Sequence, residues 1–569
     1  MTSKPADLQS KQNSFFLIAL VVIVLTVFLA IVAAGLFVPV YSDEAATKMM
    51  RGAFFSNGWE YNTLLPQCDR NYLRSVPALL YPGAFVYDIV YGHATPLGIR
   101  LLGMIADLCW LALTATAVRI LTKPKQLHWA LLAAIASIVG LGVLPMTMVM
   151  ARGEQVILLL LIAFLCLPAL TARIAGRTGT SGREGRVGLI ASVILFCVVV
   201  SAFFYTHPKT LFFIPVVLTS CVLCFWRHSR ALALVLGAFV LATVWQSLLF
   251  ASALTKCPGA PMFSSQWLAL MTPPGLLLSN PLAFVCALWT NVLSAPGAML
   301  DQLVFADQYQ SAWLAAAPGV AALPLVAWIN PFIRAVVIAA FGVAAILPPL
   351  GFVLKLRSRR LDGPTCCIAA LWLGLFGHMA MYRLWNFYTG TLAIPLAALL
   401  AVLSLAALGS LLPARIFRTL TLAVLLPLTL LFVGSAGLLL SKVMPPTIAN
   451  LHAAPVGLPG QPLSIPALGY GRQRDQIRAF AAQCHIQGDG ARHLVIDNLT
   501  FFAFDGLREP LQSDYINDQA FGIDYPGEAS IKMLKEAGAH SVVAQCGLLS
   551  PTLLKHARRE GNLCCLQLD

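Results

Sequence analysis

The sequence predicts an all-α polytopic membrane protein of about 11 transmembrane helices with a small C-terminal extracytoplasmic α/β domain. Three observations predict it. Of 569 residues, 59% are hydrophobic and only 11% charged, against about 25% charged in soluble domains. Apolar runs of roughly 20 residues, long enough to cross a hydrocarbon core, recur from Ser14 to Lys442. After Met444 the composition turns Pro/Gly-rich and then mixed polar. The formal charge of +14 does not mark a nucleic-acid binder, because most basic residues lie in short clusters between apolar runs, the positive-inside pattern.

The first run, Phe15 to Val38, is too long for a secretory signal and lacks its small-residue cleavage pattern, so it reads as a retained helix. With the N-terminus (Lys4, Lys11) in the cytoplasm, the inward connections carry Arg119, Lys123 and Lys125; Arg173, Arg177, Arg183 and Arg186; Arg227 and Arg230; Lys355, Arg357, Arg359 and Arg360; Arg415 and Arg418. That asymmetry places spans at 14–38, 97–119, 128–150, 154–172, 187–205, 209–226, 231–252, 331–354, 365–383, 387–408 and 417–441. The odd count puts the C-terminal tail outside, as expected of a multi-pass protein of the inner (plasma) membrane with a periplasmic or extracellular C-terminal domain.

Residues 1–443 thus form the membrane domain, with a first outer loop at 39–96 and another at 253–330. The second has no Lys or Arg from Cys257 to Ile333. A spanning pair at 280–300 and 311–329 would leave an inward turn with Asp301 and Asp307 and no basic residue. The pattern therefore predicts interfacial helices with Trp267, Trp289 and Trp313 at headgroup level. Residues 444–471 read as a linker and 472–569 as the α/β domain, with helices at 472–484, 528–537 and 551–560 and strands at 493–497, 541–545 and 563–568 in a short parallel sheet. Cys68, Cys257, Cys484, Cys546, Cys564 and Cys565 lie on the predicted outer side, where disulfides are permitted; their pairing does not follow from sequence.

The chemistry-bearing residues gather at the predicted outer turns. Asp43 and Glu44 follow the first span. They suit an interfacial helix start, with Ser42 as cap and Glu44 facing Lys48, or a general base, or ligands for a divalent ion. Arg152 and Glu154 lie between spans three and four, His207 and Lys209 between five and six, and Tyr382, Arg383 and Asn386 between nine and ten. Acids beside isolated cations suit a hydroxyl base next to a lipid-linked phosphate, Arg forking onto oxygens and Lys acting as a point charge. Asp107, midway along the second span, reads as a buried structural partner, and His378 lies outside the main set.

An acidic pair in the first outer loop, a further acid in the second outer turn, a long first loop and an outward tail resemble the GT-C glycosyltransferases, among them protein O-mannosyltransferases and lipid A aminoarabinose transferases. The resemblance covers roughly Tyr41 to Tyr388. It implies inverting transfer of a sugar from a polyprenyl-phosphate carrier to a glycan, lipid or protein acceptor on the outer face. Asp43 matches the base, with Glu44 beside it and Glu154 as the second-loop acid. The first loop matches a pair of interfacial helices, with Arg70, Arg74, Tyr81 and Tyr87 placed to meet headgroups. Lys209 and Arg383 are candidates for the carrier phosphate on charge and sidedness. A divalent cation (Mg or Mn) on Asp43 and Glu44 is the one cofactor the pattern admits. The competing class is a transporter or lipid flippase, which should show inverted repeats and helices broken at midplane; no internal repeat is evident. An envelope polymerase or ligase should carry basic residues in its large late loop, where this chain has none. No Walker, Gly-x-Gly-x-x-Gly, His-Glu-x-x-His or Gly-x-Ser-x-Gly motif occurs.

Overall fold

The structure, a computed structural model, describes residues 5–41, 43–45, 95–122, 127–177, 183–255, 269–309, 313–453, 465–507, 509–512 and 528–568. The membrane domain consists of α1 (Pro5–Ala34), α2 (Pro96–Leu121), α3 (His128–Val139), α4 (Leu144–Met148), α5 (Gly153–Arg177), α6 (Arg183–Phe204), α7 (Ile214–Phe225), α8 (Arg230–Thr255), α9 (Pro281–Leu300), α10 (Pro324–Arg357), α11 (Gly363–Met381), α12 (Phe387–Gly409) and α13 (Ala414–Leu438). Among the described residues eleven helices are long and apolar enough to cross a membrane, and ten fall on predicted spans. Helix α12 is apolar all round and buried along nearly its whole length against α3, α5 and α10, which makes it the pillar of the domain.

The expected span 128–150 is not one helix. Gly140 and Gly142, the latter at φ +63°, break it into α3 and α4. A β-carbon at Gly142 would overlap the Leu303 carbonyl, so this turn requires glycine twice over. The freed amides find partners inside the protein: Gly142 N–H donates to Ser435 Oγ at 2.8 Å and Val143 N–H to Leu303 O at 2.9 Å. Irregular backbone is tolerated at membrane depth only when protein surrounds it in this way. The segment still runs the length of α2. It begins just past that helix's C-terminus, and Val149 O accepts from Arg100 in its first turns.

The eleventh candidate is α9, which was expected to lie in the interface. Length and composition would let it cross. It packs chiefly on α11, with its middle tied to the end of that helix and the residue just past its own end tied to the turn between α11 and α12. Asn291 Nδ2 donates to Ala380 O at 2.7 Å and Thr272 Oγ1 at 2.9 Å, while Gln302 Nε2 donates to Trp385 O at 3.1 Å. Trp289 is exposed. Trp313 departs from the expectation: it is buried and stacked on Phe387 at 4.8 Å, because the stretch after α9 folds inward as irregular turns.

Helix α13 runs on through a π-turn (Leu439–Val443) into α14 (Met444–Ala453), which replaces the first part of the expected linker, so that Pro445 and Pro446 follow the π-turn. Beyond it come α15 (Tyr470–Gln483), α16 (Glu528–Glu536) and α17 (Pro551–His556), with β1 (Val495–Ile496), β2 (Leu511–Gln512), β3 (Ser541–Gln545), β4 (Arg558–Glu560) and β5 (Leu563–Gln567). The sheet order is β2-β1-β3-β5-β4. The expected parallel pairing holds for β1 and β3, and β2, which was not expected, joins β1 parallel; β5 and β4 join antiparallel, and β4 occupies the end of the expected last helix. The adjacent Cys564 and Cys565 point to opposite faces of β5, as neighbours in a strand must, and bind Cys546 and Cys484 respectively. The Cys484–Cys565 bridge closes 81 residues of chain. Replacing both cysteines by serine is expected to cost the tail about 2–5 kcal/mol, seen as faster proteolysis of the tail with the membrane domain intact.

The tail is docked on the membrane domain. Val40, after α1, forms an antiparallel bridge with Ile465. Val40, Ala45, Ile99 and Ala151 share one apolar cluster with Tyr470, Phe480, Leu499 and Phe501. The tail therefore covers the end of the bundle that carries Asp43 and Arg152.

Candidate functional site

Alternating crossings bring the start of the long first loop, Val38–Ala45, and two short connections, Val149–Gly153 and Tyr205–Lys209, to one end of the bundle. The turn 382–386 joins them. Asp43 and Glu44 sit in one helical turn, and successive side chains there point in different directions. Glu44 points inward and is fully buried. Its Oε2 meets Arg100 Nη2 at 3.0 Å and accepts from Tyr41 N–H at 2.8 Å, while Oε1 accepts from Ala151 N–H at 2.7 Å. Arg100, equally buried, also donates to Val38 O at 2.9 Å, Pro39 O at 2.6 Å and Val149 O at 2.6 Å. Glu44 and Arg100 thus form a clamp that fixes the first two turns against each other.

Asp43 points the other way and is the half-open member, with its side chain 38% exposed. Its Oδ2 lies 2.6 Å from Arg152 Nη1. Arg152 Nε approaches Glu154 Oε2 at 3.4 Å, and Glu154 Oε1 receives Lys209 Nζ at 2.5 Å. Glu154 and Lys209 are both buried. The result is a chain of alternating charge, Asp43–Arg152–Glu154–Lys209, built from three connections far apart in sequence. Burial alone would lower the Arg152 pKa, but the carboxylates of Asp43 and Glu154 outweigh it and hold the pKa above its ordinary value. Its charge is permanent.

Aromatic faces enclose the cations. The Arg152 guanidinium lies 3.9 Å from the Tyr388 ring centroid and 5.7 Å from Tyr41, and Lys209 Nζ lies 5.2 Å from Tyr388 and 5.4 Å from Tyr382. Burial, with Glu154 nearby, pushes the Tyr382 phenol up to about 12, so it stays protonated. His207 takes a local role: its Nδ1 accepts from Lys209 N–H at 3.1 Å and caps the short 3₁₀ turn Pro208–Phe213. Asn386 is the N-cap of α12, in a reciprocal capping box with Thr389. Arg383 is exposed. Its N–H donates to Leu270 O at 2.9 Å, and among the described residues no carboxylate pairs with its guanidinium. Arg74 lies outside the described residues, as do Arg70, Tyr81 and Tyr87.

The sequence-derived set is therefore divided by the structure. Asp43, Arg152, Glu154, Lys209 and Tyr382 come together; Glu44 turns away into the clamp, and His207 and Asn386 shape the turns. Tyr388 and Arg100 belong to the arrangement and were not among the predicted residues. Tyr388 resembles any interfacial aromatic in sequence, and Arg100 a basic residue at a helix start. His378, one turn before the end of α11, is fully buried close behind Lys209, and neither ring nitrogen has a partner. Each buried unpartnered polar group costs about 1–3 kcal/mol. Gly374, one turn earlier, lets α11 close on Phe213, where a β-carbon would overlap the ring. Gly374→Ala is expected to cost about 1–3 kcal/mol through overpacking, read as a lower Tm in detergent.

A divalent ion shared by Asp43 and Glu44 does not fit these residues. Both Glu44 oxygens are committed to the clamp, and the Arg152 cation is bonded to Asp43 Oδ2. Among the described residues no group of three or more His, Cys, Asp and Glu is placed to hold a metal.

The fold and site define a polytopic membrane protein with an ion-paired, aromatic-lined rim under a small α/β domain. No protein-family model and no curated protein matches the sequence. Among solved structures, the archaeal oligosaccharyltransferase AglB from Archaeoglobus fulgidus, in complex with an inhibitory peptide and a dolichol-phosphate, is similar at 11% identity over 92% of this chain and 69% of that one, with a TM-score of 0.39. The Archaeoglobus fulgidus oligosaccharyltransferase in complex with Zn and sulfate gives 9% identity, 91% and 68% coverage and a TM-score of 0.41. ArnT from Cupriavidus metallidurans, bound to undecaprenyl phosphate, gives 14%, 97%, 98% and 0.38. Likeness at this level assigns no activity, and the functional reading rests on the chain's own residues.

Proposed function

We propose that this protein is a membrane glycosyltransferase of the GT-C kind. In this reading it moves a sugar from a polyprenyl-phosphate carrier to a hydroxyl-bearing glycan, lipid or protein acceptor at the outer face of the membrane. The observation that carries the reading is the Asp43–Arg152–Glu154–Lys209 chain, in which the one half-open carboxylate stands beside cations at a membrane boundary. Asp43 accepts the proton of the acceptor hydroxyl as its oxygen attacks the anomeric carbon. Attack comes from the face opposite the phosphate, so the configuration inverts. The bond from the anomeric carbon to the phosphate oxygen breaks, and the phosphate leaves with the electron pair.

Two acids and two bases in the chain cancel, so the rim by itself offers no net charge to an anion. Arg383, with no carboxylate partner among the described residues, supplies the extra cation, and Lys209 adds its remaining N–H donors. Arg152, held between two carboxylates and the Tyr388 face, orients Asp43. A bound metal enters no step. The test is genetic and chemical together. Deleting the gene is expected to change the envelope glycans or glycosylated lipids, and the intact gene to restore them. A deletion strain with unchanged glycans but lost uptake or flipping of a tracer would instead establish a transporter.

A further inference from the structure

Behind Lys209 lies a polar element that the reaction above does not use. The His378 imidazole is boxed by Phe212 at 5.1 Å, Trp385 at 5.1 Å, Tyr382 at 5.3 Å and Phe213 at 6.3 Å between ring centroids. Among the described residues, neither of its nitrogens has a hydrogen-bond partner, and nor does the buried indole Nε1 of Trp385. The charged and titratable groups acting on the imidazole are Lys209, His207 and Glu154. It shares the Tyr382 ring with Lys209, whose ammonium lies 5.4 Å from that ring. A residue serving only to fill this box would be better as phenylalanine, which has the ring and leaves no polar atom unpaired. Buried polar groups are almost always hydrogen-bonded, and in a low dielectric such bonds are strong once made.

The requirement these donors meet is set by the charge balance of the rim. Lys209 is already paired with Glu154 at 2.5 Å, so an oxygen anion reaching that ammonium gains little net charge there. Neutral N–H donors stabilise it without displacing the ion pair.

We propose that His378 and Trp385 form a buried pair of N–H donors for one phosphate oxygen of the lipid carrier, set behind Lys209. The inference rests on the polyprenyl-phosphate reading above and extends it to a second layer of the site.

The test uses the purified full-length protein in lipid nanodiscs, with His378→Phe and Trp385→Phe as variants and undecaprenyl phosphate, undecaprenol and inorganic phosphate as probes. The expected result for His378→Phe is about tenfold weaker binding of undecaprenyl phosphate, the loss of one hydrogen bond to a charged group, and unchanged partitioning of undecaprenol. Its Tm stays equal to or above that of the unmodified protein, since two unpaired polar atoms are removed. Trp385→Phe is expected to weaken the same probe less. A lower Tm with undiminished undecaprenyl phosphate binding would make His378 a structural residue and overturn the proposal. Inorganic phosphate binding as tightly as the lipid would reassign the donors to a free anion and overturn the carrier assignment. If the unmodified protein binds no undecaprenyl phosphate, the functional reading itself fails; if it binds and His378→Phe binds equally, only this inference fails.

Discussion

Asp43→Asn is expected to lower the rate of sugar transfer by about 10²–10⁴-fold, the usual contribution of a positioned general base. The amide keeps the shape of the carboxylate and can still meet Arg152, but it cannot accept the acceptor's proton. Stability should hardly change. The side chain is 38% exposed, and Arg152 retains Glu154 and the Tyr388 ring; exposed ion pairs contribute about 0–1 kcal/mol. Binding of undecaprenyl phosphate should likewise persist. The measurement is the initial rate of transfer in proteoliposomes beside the Tm of the same preparation. A variant that turns over at the normal rate removes Asp43 from the chemistry.

Its neighbour should behave in the opposite sense. Glu44→Ala is expected to destabilise the protein by about 3–5 kcal/mol, because it leaves a buried guanidinium without its counter-ion. The Arg100 side chain has no exposure to solvent, and the Tyr41 and Ala151 amides lose their acceptor at the same time. Thermal unfolding in detergent should show a fall in Tm, accompanied by loosening of the tail, whose bridge to Val40 starts from the clamped segment. A Glu44→Ala protein with normal Tm and no activity would place Glu44 in the reaction and not in the clamp. Two adjacent carboxylates with separable effects, one on rate and one on stability, are the signature of this arrangement.

How much of this was legible in the sequence follows from what each signal reports. Charges at connections of one parity must meet at one end of a bundle, so Asp43, Arg152, Glu154, Lys209 and Arg383 could be placed on one side without knowing a single contact. The direction of each side chain could not. Asp43 and Glu44 differ in role only because one turn of helix points them apart, and the partner that claims Glu44, Arg100, comes from a helix start 56 residues away. Charge and hydropathy cannot show that Gly140 and Gly142 break a span whose composition remains apolar throughout. They also cannot orient α9, whose placement depends on the hydrogen bonds of Asn291 and Gln302. In the tail, β2 and β4 span two and three residues and lack an apolar run that marks them, whereas β1 lies within the strand expected at 493–497, and β3 and β5 at five residues each were found. His378 was visible as an ionisable residue within a span, but its aromatic box draws rings from two separate segments, Phe212–Phe213 and the 382–386 turn.

The central claim is that a sugar leaves a polyprenyl phosphate at this rim. The most direct measurement supplies purified protein in proteoliposomes with lipid-linked sugars and acceptors extracted from the membranes of its own cells, then follows both by mass spectrometry. Free polyprenyl phosphate and glycosylated acceptor are expected to appear in equal amounts, and neither is expected with Asp43→Asn. Lipid-linked sugars that remain intact, or that cross the bilayer unchanged, would contradict the claim.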